Sequence, residues 1–223
     1  MTTHRALVLI AALFAGSWTL DACARAPEPA LAKWKAGTNY QLLAAPQPTS
    51  VPAGKVEVSE VFWYGCGHCY ALDPALENWK AEKPAYVEFV RIPVIWGAAH
   101  RQHAKLYYTL QALRRPDLHG KVFDAIHQQG LQLSARDEVT ARAEQLAFLG
   151  SQGVSEKDFN ATYDSMSVAA NVLRAEDLTK KYAIANVPVL IVNGKYSTSV
   201  GEAGGTPELL ALINDLAASE KNR

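Results

Sequence analysis

The chain has 223 residues, 49% of them hydrophobic, enough for one large domain or two small ones with a proper core, so a fold held by disulfide staples is not needed. Its 22 basic and 22 acidic side chains balance to zero, and no basic stripe recurs, which argues against nucleic acid as a partner.

The N-terminus reads as a targeting segment. Thr2-Thr3-His4-Arg5 is a short, weakly basic lead to an apolar run over 6–14 that is too short to span a bilayer. Small residues at Ala22 and Ala24 offer a cleavage zone, so 1–24 is expected to be a signal peptide, with an uncleaved anchor as the alternative. Export implies an oxidising compartment. Cys23, in Leu20-Asp21-Ala22-Cys23, is similar to a bacterial lipobox cysteine: it either carries a lipid anchor or leaves with the signal peptide.

Residues 25–37, rich in Ala, Pro, Glu and Lys, read as a tether. A loop punctuated by Pro46, Pro48 and Pro52 leads to a strand over 56–64. The next pattern predicts a helix over 70–83 with Leu72, Leu76 and Trp79 on one face, interrupted and kinked at Pro74. A second strand, rich in Val, Ile and Phe, covers 86–95. From 98 to 183 the texture is helical, with Leu106, Leu110 and Leu113 on one face and Val122, Phe123 and Ile126 on another. Ser155 and Asp158 have the spacing of a capping box. Residues 187–196 predict a strand, a turn at Asn193-Gly194 and a return strand, and Thr206-Pro207-Glu208 opens a last helix. The expected class is α/β, one sheet carrying a helical insertion.

The chemistry concentrates at Cys66-Gly67-His68-Cys69, between the first strand and the helix. Backbone N–H groups and the macrodipole at a helix N-terminus stabilise a thiolate, the reactive form of cysteine. Structural zinc would need two further ligands, and covalent haem would need His where Tyr70 stands. A static disulfide here would close too small a loop to stabilise the fold much. The pair therefore reads as redox-active, with Cys66 as exposed nucleophile, Cys69 as resolving thiol and His68 favouring the Cys66 thiolate. No metal site is expected, and no cofactor beyond the Cys66–Cys69 disulfide. His100 and His103 are expected on a solvated helix face, while Trp63, Tyr64 and Tyr70 suit either a peptide-binding surface or the core.

The C-G-H-C motif after an aromatic strand, Pro74, the helical block and Val187-Pro188 together resemble the DsbA family of periplasmic thiol-disulfide oxidoreductases, over about 39–216. The resemblance implies an α/β thioredoxin fold with an inserted α-helical domain: a first part over 38–97, the insertion over 98–170 and a second part over 171–220. It makes Val187-Pro188 a cis pair that binds extended substrate, and Glu60 a buried acid that moves protons for Cys66 and Cys69. On alternation alone Glu60 could equally face solvent. It further implies a monomer in the periplasm of a Gram-negative bacterium, acting on cysteine-containing unfolded exported proteins and reoxidised by a quinone-linked membrane oxidase of the DsbB type. Two residues depart from the pattern. Gly67-His68 replaces the usual Pro-His and implies a milder oxidant, as in protein disulfide isomerase, and Arg91 stands where the family often has Lys. The competing functions are a periplasmic reductase or isomerase, and a non-enzymatic dithiol carrier of Cu or Zn.

Overall fold

In the computed structural model residues 29–221 are described. In order they form a 3-10 turn (Pro29–Lys33), β1 (Gln41–Leu42), β2 (Val56–Phe62), α1 (Gly67–Glu82), β3 (Val87–Pro93), α2 (Ala98–Ala112) and a second 3-10 turn (Pro116–Leu118). There follow α3 (His119–His127), α4 (Glu138–Ser151), α5 (Glu156–Tyr163), α6 (Met166–Lys181), β4 (Val189–Val192), β5 (Tyr196–Thr198), α7 (Val200–Ala203) and α8 (Thr206–Lys221). Residues 1–24, including Cys23, lie outside the described residues. Among those described, no helix is long and apolar enough to cross a membrane.

The strands pair in the order β1-β5-β4-β2-β3. Only β2 and β3 run parallel, joined by the α1 crossover, and their register sets Glu60 opposite Arg91. β4 returns antiparallel beside β2 and turns into β5. The turn at Asn193-Gly194 has both residues at positive φ (50° and 63°). Glycine is needed there twice over, because a Cβ on Gly194 would also meet the Gln47 carbonyl oxygen at 2.1 Å.

β2 is buried along its whole length because helices cover both faces of the sheet. Val56 and Val58 pack under α1 and α8 with Leu72, Leu76, Leu212 and Leu216. Val61 points the other way, to Ile92, Ile191 and the α6 residues Val168 and Val172. Phe62 and Tyr64 reach a third cluster inside the helical insertion, with Leu106, Leu110, Phe123 and Tyr163. The C-terminal end of β2 is thus where the second and third of these clusters meet. This is the expected α/β sheet with a helical insertion.

Several expectations are corrected in detail. The first helix starts at the cysteines, as expected from their place at a helix N-terminus, so it extends the 70–83 pattern back to Gly67, and it continues through Pro74 as one element. The segment read as a tether is partly built in: Trp34 is buried, and its indole N–H donates to Asp215 of α8 at 2.8 Å. A boundary at 170/171 would cut α6, which is a continuous helix. At α5, Ser155 Oγ accepts the Asp158 N–H as expected, but its hydroxyl donates to the Asp158 carboxylate at 2.7 Å, so the return arm of the box is side chain to side chain.

Candidate active site

β2 ends at Phe62, and the chain turns through Trp63-Tyr64-Gly65 into α1. Gly65 leaves room for the Trp63 ring, since a Cβ there would lie 2.5 Å from the indole. The Trp63 ring in turn stacks on His100, with centroids 4.4 Å apart.

Cys66 occupies the N-cap of α1, with extended backbone, and its Sγ accepts the Cys69 N–H at 3.3 Å. The sulfur takes the place that Ser, Thr, Asp or Asn usually fill. Gly67 and His68 are exposed, whereas Cys69 is fully buried one turn along, and both cysteines are free thiols. The Cys69 thiol donates to Cys66; with backbone N–H groups of Cys69 and His68 and the His68 charge, this outweighs burial and lowers the Cys66 pKa from 9.0 to about 6. The same hydrogen bond, with burial, pushes the Cys69 thiol far above its ordinary value. The two sulfurs are thereby made unequal.

Val187-Pro188 is a cis pair, and the Val187 carbonyl oxygen lies 3.5 Å from Cys66 Sγ. Beside it a groove of about 440 Å³ is lined by His68, Ala71, Leu72, Val187, Pro188 and Val200. The two segments, 121 residues apart in the chain, meet at the exposed sulfur.

Glu60 does not face solvent: it is 1% exposed. Burial raises its pKa from 4.5 to about 7 against the opposing pull of Arg91. Arg91 divides its guanidinium among three carboxylates, Nε to Glu60 at 2.8 Å, Nη2 to Asp73 at 2.6 Å and Nη1 to Glu77 at 2.6 Å. Burial alone would raise Asp73 and Glu77, but the His119 ring beside Asp73 and the Arg91 hydrogen bond to Glu77, reinforced by the Arg91 charge, hold both below the usual range.

Helix α3 closes the site from the side of the insertion. His119 Nδ1 is 2.8 Å from the Tyr64 hydroxyl, and Nε2 lies 3.3 Å from Asp73 Oδ1. His127 donates from Nε2 to the Tyr64 carbonyl at 2.8 Å and stacks on Tyr70, nearly parallel at 4.8 Å. Sequence reasoning could not place either histidine, because their partners lie more than 40 residues away. His103 corrects another expectation: it is 3% exposed and bonded through Nε2 to the Gln132 carbonyl at 2.8 Å, so it is not on a solvated face. Of the three aromatics left open, Tyr64 belongs to the core, and Trp63 and Tyr70 are half-buried. Among the described residues no group of three or more His, Cys, Asp or Glu is arranged to hold a metal ion.

No protein-family model matches the chain. A thiol:disulfide interchange protein DsbA from Pseudomonas aeruginosa is 38% identical over 189 residues, 84% of this chain and 86% of the relative. The chain belongs to the DsbA family. A DsbA from Pseudomonas syringae pv. tomato is 37% identical and spans 97% of this chain and 96% of its own. The crystal structure of Pseudomonas aeruginosa DsbA matches with a TM-score of 0.78 at 37% identity, covering 85% of this chain and 96% of that one. The oxidoreductase NmDsbA3 from Neisseria meningitidis matches at 0.71 with 27% identity, covering 85% of this chain and 100% of that one. The fold is therefore the thioredoxin fold with an inserted helical domain, and the DsbA-family chemistry is thiol-disulfide exchange carried by a cysteine pair.

Proposed function

We propose that the protein oxidises pairs of thiols in exported proteins by donating a Cys66–Cys69 disulfide. A substrate thiolate attacks Cys66 Sγ; the Cys66–Cys69 bond breaks and Cys69 leaves as a thiolate, taking a proton from Glu60. A second substrate thiolate then attacks the substrate sulfur of the mixed disulfide, and Cys66 departs as a thiolate. Two electrons pass to the protein, leaving the substrate with a disulfide and the pair reduced. The observation that carries this reading is the Cys66 thiol lowered to about 6 at the helix cap, which makes it a good leaving group and favours the reduced pair once the disulfide is given away.

The groove at Val187-Pro188 suits an extended substrate segment beside Cys66. Family membership supports a periplasmic setting, with reoxidation of the pair by a quinone-linked membrane partner of the DsbB type.

The test uses the purified oxidised protein and a reduced, unfolded substrate with two cysteines. Disulfide formation should be accelerated, and Cys66→Ser and Cys69→Ser, neither of which can hold the disulfide, should both lose the effect entirely. An oxidised protein that leaves the substrate's rate unchanged contradicts the proposal.

A further inference from the structure

Four ionisable groups from three elements, all but Glu77 buried, form one cluster at Arg91, and the thiol chemistry uses only Glu60. One guanidinium faces three carboxylates, two of them buried with it, and a buried charge without a full partner is costly, which favours one carboxyl giving up its charge. The carboxyl with least support does so. Glu77 has a second cation, Lys80 at 3.1 Å, and its side chain is 43% exposed. Asp73 has the His119 ring as a second neighbour. Glu60 has Arg91 alone, with Oε1 buried and lacking a hydrogen-bond partner among the described residues.

His119 is set to favour the Asp73 anion. Burial holds Tyr64 well above its ordinary pKa, so the phenol keeps its proton and donates it to His119 Nδ1. The remaining ring proton is then on Nε2, which faces Asp73 at 3.3 Å as a polar contact rather than a linear hydrogen bond. The charged and titratable groups facing this ring are Tyr64 from the end of β2, Asp73, Glu77 and Lys80 from α1, Arg91 from β3 and Tyr107 from α2.

We propose that His119, contributed by the helical insertion, is a positioning residue for the thiol chemistry: it holds Asp73 as the charged neighbour that shares Arg91 with Glu60, and so sets whether Glu60 carries its proton. The consequence for catalysis rests on the reading of Glu60 as the proton source for Cys69. The insertion then does more than cover the cysteines; it reaches under them and adjusts the acid. Asp73 stays ionised, its charge disfavours a second buried anion, and Glu60 retains a proton into the neutral range.

The test follows the 13C resonances of labelled Asp and Glu carboxyls against pH in the reduced protein, with Glu60→Gln assigning the Glu60 signal. In wild type Glu60 should titrate near 7. Its midpoint should fall in Asp73→Asn, where the charge is gone and His119 remains. It should also fall in His119→Phe, with the Asp73 midpoint rising, and stay close to wild type in His119→Gln, whose amide N–H can replace Nε2–H. An unchanged Glu60 midpoint in Asp73→Asn overturns the proposal, as does a His119→Phe protein that titrates like wild type or a His119→Gln protein that behaves like His119→Phe. Should His119→Phe fail to fold, His119→Met takes its place in the same comparison, with the same two outcomes. No oxidase assay enters, so this result is independent of whether the wild-type protein oxidises substrates.

Discussion

Cys66 and Glu60 are displaced in opposite directions, and the signs have different consequences for stability. Cys66 is lowered, so in the reduced protein its contribution to stability is fully present above 9.0 and is lost as pH falls through about 6. Glu60 is raised, so its contribution is fully present below 4.5 and is lost as pH rises through about 7, where a buried acid must either ionise or hold its proton at a cost. Glu60→Gln removes the second effect and keeps a neutral group of the same shape beside Arg91. Thermal unfolding at two pH values should show the variant more stable than wild type at pH 8, with the gain shrinking by pH 5. An equal difference at both values would mean that Glu60 does not titrate in this range.

Helix α1 is the element on which the chemistry depends, and its apolar stripe begins later than its first turn for a physical reason. The motif offers no Ser, Thr, Asp or Asn before the apolar stripe, so the first recognisable helical turn comes after the cysteines. The cap is the Cys66 sulfur itself, one of the few side chains whose capping strength depends on its charge. In a comparison of reduced variants, Cys66→Ala should be less stable than Cys66→Ser by about 1 kcal/mol, because the serine hydroxyl can still accept the Cys69 N–H. Chemical denaturation measures this, and equal midpoints would show that the sulfur does not cap the helix. The aromatic strand, the cysteine spacing and the late Val-Pro pair were legible because they are local patterns. Asp73, His119 and His127 were not: each looks like an ordinary helical polar residue until β2, α1 and α3 converge on Tyr64.

Across the whole molecule, three apolar clusters line β2, two of them meet at its C-terminal end, and the cysteine pair sits just beyond that junction. The sheet supplies Glu60 and Arg91, α1 and its N-cap supply both sulfurs and Asp73, and the segment leading into β4 carries Val187-Pro188. The insertion supplies the two histidines on Tyr64. Alternation and helix periodicity sufficed for the α/β class and the helical block, whereas the built-in Trp34 and the continuity of α6 depend on packing between segments far apart in sequence. Such an arrangement favours the thiolate of Cys66 and hence the reduced pair, the property of a disulfide donor. Gly67 in place of the family's usual proline leaves that asymmetry intact, because the groups acting on Cys66 are the Cys69 thiol, backbone N–H groups and His68. The most direct test is the equilibrium of Cys66–Cys69 with glutathione at pH 7. The expected potential is more oxidising than the about −270 mV of thioredoxin; an equal or more reducing value would contradict a role as disulfide donor.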